Sequence, residues 1–334
     1  MLRGRALPRV RKSVLLGASV LALGGGVATT AGVSSASGST SLTTVNVNLI
    51  PIADLASVYL GNKEGFFAKH GLKLHITATI QGGPVIIPTL ISGQDQFGIP
   101  AYTDQILADV KGLPLVSIGS ADSAGPTNNT DYQFLVSTKK SGITSVKQLA
   151  GKTIAINSLD GLGQTQVDAA LAKAGVNYHT VHYVAINFPQ MGAALASGQV
   201  AAAQVVEPFY SMLRLGKTPI NTIVGLDYSI APNLPVTSVM VTKSYYAAHK
   251  QIVSEFQAAL KESLAYTQSH LAAARALLPS YAGITGSLVN KVLMPYFPTK
   301  LDTGAIQTTI NAMYRFGIID KKLSVGSIVE PNSP

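Results

Sequence analysis

The sequence predicts an α/β protein of two mostly parallel-sheet lobes joined by two crossover segments, and three observations carry that expectation. The first is a pattern used twice: P-x5-L-x-S-G-Q occurs over residues 84–94 and again over 189–199, 105 residues apart. Each copy reads as a short helix. Pro84 or Pro189 stands in the first turn, where a missing N–H costs nothing, and Gly93 or Gly198 follows the end, where a positive φ is needed. The second is that each helix feeds a short apolar run, 96–99 or 202–206, closed by Pro100 or by Glu207-Pro208. The third is that strand and helix periods alternate along the intervening chain, the pattern of a parallel sheet with helices on both faces. A helix–strand unit repeated at about one small-domain length implies two lobes of one plan. Two such lobes leave a cleft between them.

Composition narrows the function classes. The 334 residues are 47% hydrophobic and 12% charged, which describes a chain that buries a core rather than a disordered one. The net charge of +9 would suggest nucleic acid, but Arg3, Arg5, Arg9, Arg11 and Lys12 supply five of the positive charges at one end. The remainder carries only +4, so no nucleic-acid partner is expected. Those five charges open a secretory signal over residues 1–36: a basic start, an apolar run over 14–31 and Ser34-Ser35-Ala36 at the cleavage point. The mature chain is expected to begin near Ser37, with cleavage at Ala28 or Ala31, or a retained N-terminal anchor, as alternatives. The sequence contains no cysteine. Disulfides, thiolate metal sites, a cysteine nucleophile and a lipid-modified cysteine are therefore not expected.

Taken in order, residues 45–50 read as a buried first strand, and Pro51 to Asp54 turn into a helix with Leu55, Val58 and Tyr59 on one face. Leu72, Leu74 and Ile76 alternate with Lys73, His75 and Thr77, the period of a half-exposed strand. After the first repeated unit come a helix over 104–110 and a strand over 114–119. Residues 122–131, with Gly125-Pro126 and Asn128-Asn129, form the best internal boundary. Beyond it we expect a strand over 132–137, a short helix over 143–149, a strand over 153–157, a helix over 164–174 and a strand over 183–186. The second repeated unit follows, then turns over 228–235 and a returning strand over 236–241. The C-terminal part is helical, with Ile252, Phe256, Leu260 and Leu264 in one stripe and Ile306, Ile310 and Met313 in another.

Two glycine-containing stretches are not nucleotide motifs. Gly151-Lys152 lacks a phosphate loop's leading glycine, since Val146 stands there, and Gly161-Leu162-Gly163 meets Gln166 where a dinucleotide fingerprint needs its third glycine. The second stretch still opens a helix. Its free N–H groups and positive dipole end suit anionic or acceptor atoms of a ligand, or else it is an ordinary tight turn.

A family resemblance rests on four motif groups. Gly65-Phe66-Phe67 precedes Gly71-Leu72, and Gly82-Gly83 precedes Leu90-x-Ser92-Gly93-Gln94-x-x-x-Gly98. Leu149-x-Gly151-Lys152-x-Ile154-Ala155 follows, then Met191-x-x-Ala194-Leu195-x-x-Gly198-x-Val200-x-Ala202-Ala203 ending in Glu207-Pro208. In this order they resemble the substrate-binding proteins of ABC importers, in the group that binds nitrate, aliphatic sulfonates and the pyrimidine precursor of thiamine. The resemblance runs from about residue 45 to about residue 319. It implies the type II periplasmic-binding, Venus-flytrap arrangement, with lobe one formed by residues 42–131 plus 236–334 and lobe two by 132–235. It further implies a small-molecule solute, a membrane permease as partner, a monomer, secretion, and neither cofactor nor catalysis. A secreted sensor, or an enzyme of the related pyrimidine-synthase branch, stands as the alternative.

Ligands of open α/β sheets sit outside the carboxyl ends of the strands. This places Asp54, Tyr59, Gly82, Gly83, Ala101 and Tyr102 at the cleft from one lobe, and Ser158, Gly161, Gly163, Gln164, Phe188 and Glu207 from the other. There is no Trp, so Tyr59, Tyr102 or Phe188 would have to stack on an aromatic solute. Beyond the leader the only arginines are Arg214, Arg275 and Arg315, none at a predicted strand end, so no bidentate clamp for an anion is expected. Asp54 and Glu207 could instead accept from an amino group. Each has a structural alternative: Asp54 as a helix cap, and Glu207 as a loop residue before proline.

Overall fold

The computed structural model describes residues 41–331 and 333–334. The expected leader and its cleavage point lie outside the described residues.

Two five-stranded sheets form the framework, in the orders β2-β1-β3-β10-β4 and β7-β6-β8-β5-β9. The first comprises β1 (Thr43–Leu49), β2 (Leu72–Ala78), β3 (Phe97–Ile99), β4 (Leu115–Ser117) and β10 (Met240–Thr242). The second comprises β5 (Gln133–Thr138), β6 (Thr153–Ile156), β7 (His182–Ala185), β8 (Ala202–Val206) and β9 (Ile220–Gly225). In each sheet a central strand pairs in parallel with two neighbours, β1 with β2 and β3, and β6 with β7 and β8. In each, one strand runs antiparallel to both its neighbours: β10 between β3 and β4, and β5 between β8 and β9. That strand is the one each sheet receives directly after the chain has crossed from the other. The two sheets are therefore the same design with the crossing strand exchanged.

The repeated pattern has one structural meaning in both halves. Helix Gly83–Ile91 links β2 to β3, and helix Phe188–Ser197 links β7 to β8. Gly93 and Gly198 adopt φ of 76° and 78° just past the helix ends, the left-handed turn that glycine takes without strain. The helix also lies tight on its strand. A Cβ on Gly98 would stand 2.5 Å from Ile86 Cγ2, so β3 needs glycine there, and Ala203 occupies the matching place in β8.

Several boundaries differ from expectation. The helix expected over 143–149 is a 3-10 turn, Val146–Leu149, because Gln148 Oε1 accepts from the N–H groups of Thr144 and Ser145 and closes the segment locally. The strand expected over 236–241 pairs as a ladder only at Met240–Thr242. Its earlier residues bridge different neighbours: Val236 accepts from Tyr102 N–H, and Ser238 N–H donates to Pro100. Strand β9 was not expected, since its residues are half-buried and carry no alternation.

The core beneath the first sheet joins Val45, Val47 and Leu49 to Phe97, which stacks on Phe256 of helix Lys250–Ser269 at 4.1 Å. Helix Thr303–Arg315, capped by Asp302 accepting from Ala305 N–H, buries Ile306, Ile310 and Met313 against Tyr102 and Ile106. Both C-terminal stripes read from the sequence are thus core. Among the described residues no helix is long and apolar enough to cross a membrane.

Candidate ligand-binding site

The carboxyl ends of the strands from both sheets face one another across a cavity of about 50 Å³. One side is lined by Ile50, Ile52, Asp54, Gly82, Gly83, Ala101 and Asp104, and the other by residues following β6 and β7 together with Gln133 of β5 and Gln204 and Val206 of β8. Val236 and Thr237 of the returning crossover complete it. Such a volume holds a few waters or a solute of a few atoms, well below the ~300–1,000 Å³ of sites for larger ligands. The two sides touch around it. Ala53 N–H donates to the Glu207 carbonyl at 3.1 Å, and a Cβ added at Gly82 would stand 3.7 Å from Asn157 Nδ2, in ordinary contact.

Seven of the twelve residues named from strand polarity line this cavity: Asp54, Gly82, Gly83, Ala101, Ser158, Gly163 and Phe188. The other five are occupied elsewhere. Tyr59 stacks flat on Tyr281, with centroids 3.7 Å apart, and burial pushes its phenol up to about 12. Tyr102 turns into the core, its hydroxyl 2.9 Å from Ser117 Oγ and donating to the Gly119 carbonyl. Gly161 is the N-cap of helix Leu162–Lys173, and Gln164 Oε1 accepts from Asp160 N–H behind it. Glu207 points away: its carboxylate accepts from Ser211 N–H, Ser211 Oγ–H and Leu293 N–H at 2.8–3.2 Å. Of the three aromatics available to stack on a solute, only Phe188 remains at the cavity.

Asp54 caps no helix. It lies inside the single turn Ala53–Leu55 whose N-cap is Ile52, is 1% exposed, and its Oδ1 has no partner. Its Oδ2 lies 3.4 Å from the Tyr132 hydroxyl, which in turn lies 2.5 Å from Asp122 Oδ2. Asp122 Oδ1 accepts from both Thr237 N–H and Thr237 Oγ1–H, tying the two crossovers together. Asp227 closes the group by accepting from the N–H groups of Tyr132 and Gln133. Burial, then the charges of Asp122 and Asp227, hold the Asp54 carboxyl well above the usual carboxylate range. Burial likewise raises Asp122 to about 6.

Residues that strand polarity did not indicate supply much of the remaining polarity. Gln204 Nε2 donates to Gln133 Oε1 at 3.1 Å, leaving Gln204 Oε1 and Gln133 Nε2 without partners. Asn157 Oδ1 is also unpartnered. Asp104 is satisfied: it accepts from the N–H of Ala101 and is held by that of Gly83, so its carboxylate secures two helix N-termini. A local signal existed for Gln204, the one polar residue within the otherwise apolar β8. Among the described residues no cluster of His, Asp and Glu could hold a metal ion.

A sequence model of the family described as NMT1/THI5 like matches residues 52–274. YtlA of Bacillus subtilis strain 168, provisionally named a binding protein, is 24% identical over 65% of this chain and 64% of its own length. The chain thus spans just under two thirds of that relative. Among solved structures, the alkanesulfonate-binding protein SsuA of Xanthomonas axonopodis pv. citri bound to MOPS superposes with a TM-score of 0.72 at 18% identity, covering 86% of this chain and 98% of that one. The periplasmic nitrate-binding protein NrtA of Synechocystis PCC 6803 does so at 0.71 and 11% identity, covering 86% of each. These likenesses establish the fold.

Proposed function

The chain belongs to the NMT1/THI5-like family, and from that premise we propose that it is the solute-binding component of an ABC importer, capturing a small polar organic solute between its lobes for delivery to a membrane permease. The observation that carries this reading is the set of unpartnered polar atoms around one interlobe cavity: Asp54 Oδ1, Gln133 Nε2, Asn157 Oδ1 and Gln204 Oε1. Each buried polar group without a partner costs about 1–3 kcal/mol, so a cluster of them on residues that line one space is best explained by a solute that completes the bonds as the lobes close on it.

The side chains favour an organic solute over a bare nitrate or sulfonate. Among the described residues no Lys, Arg or His lines the cavity. The Gln133–Gln204 pair offers one free donor beside one free acceptor, and does so whichever way both amides are turned. An aminopyrimidine-like edge, with a ring nitrogen next to an amino group, complements that pair. Phe188 supplies the only aromatic face among the lining residues.

Lobe one is assigned residues 42–131 plus 236–334 and lobe two 132–235, with hinges near 129–136 and 232–240. A solute larger than a few atoms enters only if the lobes separate, since the cavity is otherwise too small. The chain acts outside the cytoplasmic membrane as a monomer, exported by residues 1–36. A cognate solute at a hundred times its Kd contributes about 2.7 kcal/mol, which at roughly 2–4 °C per kcal/mol raises Tm by more than about 5 °C. A thermal-shift panel of aminopyrimidines, amino acids, sulfonates and nitrate tests this. A melting curve unmoved by every member would count against solute binding.

A further inference from the structure

We infer that the cavity takes its solute by a positively charged N–H group, an aminium, amidinium or guanidinium, with the Asp54 carboxylate as its counter-ion and a proton released on binding. This rests on the solute-binding reading above and deepens it.

Donor and acceptor counts point this way. Among the described residues, three of the four unpartnered side-chain atoms on the residues that line the cavity are acceptors, and no cationic side chain lines it. Asp54 Oδ1 is fully buried and has no protein donor, so it lacks the bonds that normally hold a carboxylate in a folded interior. A cationic N–H group supplies both the bond and the charge.

The hydrogen-bond chain says what holds that place in the empty protein. One hydroxyl hydrogen on Tyr132 cannot serve Asp54 and Asp122 at once. With the short 2.5 Å bond given to Asp122, the Asp54–Tyr132 contact is a bond only if Asp54 is protonated and donates to the phenol oxygen. The titratable groups facing Asp54 agree. Asp122 comes from the first crossover, Tyr132 from the residue just before β5, Asp227 from helix Asp227–Ile230, and Tyr281, stacked on Tyr59, from the C-terminal part; none is cationic. Asp104 shares the cavity but is engaged with helix N-termini, and the Glu207 carboxylate is turned to Ser211 and Leu293. Binding is then an exchange: the solute's cation enters, the carboxyl proton leaves to solvent, and the buried charge stays balanced.

The start of helix Leu162–Lys173 also lines the cavity, and its free N–H groups and positive dipole end favour an acceptor atom. That end carries about half a charge against the whole charge of Asp54. It therefore suits a neutral acceptor on the same solute, such as a ring nitrogen or hydroxyl.

Titration calorimetry with methylguanidinium, acetamidinium and ethanolammonium against methanesulfonate and nitrate, at pH 5, 6 and 7, tests the inference. These cations keep their charge throughout, so any pH slope belongs to the protein. The expected result is cation binding that tightens with rising pH by up to about tenfold per unit, because only the ionised carboxylate pairs with the cation. Asp54→Asn is expected to weaken that binding at least about tenfold and flatten the slope, and its unfolding curve checks that it is folded. Wild-type pH dependence needs no variant at all. Anions that bind and tighten as pH falls would make Asp54 a proton donor to an anion and overturn the inference while leaving solute capture intact. Cation binding that is flat with pH and unchanged in the variant would overturn it too. If neither set binds while a member of the thermal-shift panel does, the inference falls and solute capture stands; if nothing in either panel binds, the solute-binding reading falls with it.

Discussion

Unfolding is expected at a distinctly higher temperature at pH 5 than at pH 8, the reverse of the behaviour of proteins whose carboxylates are stabilised by ion pairs. Burial raises Asp104, Asp122, Asp131 and Asp168 to about 6 and Glu207 to about 7, and holds Asp54 and Asp227 well above the usual carboxylate range. Unfolded Asp and Glu titrate near 3.9 and 4.3. Between about pH 4 and pH 7 the folded chain therefore holds more protons than the unfolded one, so stability falls as pH rises through that window. Fully buried Asp104 or Asp122 alone, raised to about 6, makes folding less favourable by on the order of 3 kcal/mol between the acid and alkaline ends of that window. At about 2–4 °C per kcal/mol, one such group moves Tm by roughly 5–10 °C. Glu262 works in the opposite sense through Lys69 and His70, but it sits on the surface, where ion pairs count for little. Calorimetry across pH 5–8 decides the matter: a Tm that climbs toward pH 8 would mean that these carboxylates are ionised and paired in the folded protein.

Glu207→Ala is expected to destabilise the protein by about 2–4 kcal/mol when measured at pH 6. The side chain fastens the segment after β8 to the C-terminal part of the chain. It accepts from Ser211 N–H and Leu293 N–H, while Ser211 Oγ–H, also near the Lys291 carbonyl, bridges the same joint. Removing it strands two backbone donors, each costing about 1–3 kcal/mol if water cannot reach them. The loss is greatest below pH 7, where the carboxyl is neutral and its burial carries no charge penalty. Ser211→Ala removes only the hydroxyl and is expected to cost about 1 kcal/mol. Chemical denaturation gives both values, and a Glu207→Ala change under about 0.5 kcal/mol would show the joint to be open in solution.

The framework could be read from the sequence because its signals are local. Pro84 and Pro189, Gly93 and Gly198, and the apolar runs after them mark helix ends and buried strands with no help from the rest of the chain. The rule that ligands meet the carboxyl ends of strands named Gly82, Gly83, Ala101, Ser158 and Phe188, which line the cavity, for the same reason. What it missed is set by tertiary structure. Asp122, Tyr132 and Asp227 are all far from Asp54 in the chain, and only the crossovers bring them to it. Tyr102 was misjudged because one step past Ala101 the new helix turns its face to the core, toward Ile306 and Ile310. Glu207 stands at the end expected of it, but backbone donors of the C-terminal segment claim its carboxylate first.

Spin-label distances between the two sides of the cavity test solute capture most directly. The chain has no cysteine, so Gln81→Cys and Leu159→Cys can be labelled without background. Both positions are exposed, and each adjoins a cavity-lining residue, Gly82 on one side and Ser158 on the other. With a solute first identified by calorimetry, saturation is expected to collapse a broad, long distance distribution into a single short one as the lobes close. Distributions that coincide with and without saturating solute would contradict capture by closure of the two lobes.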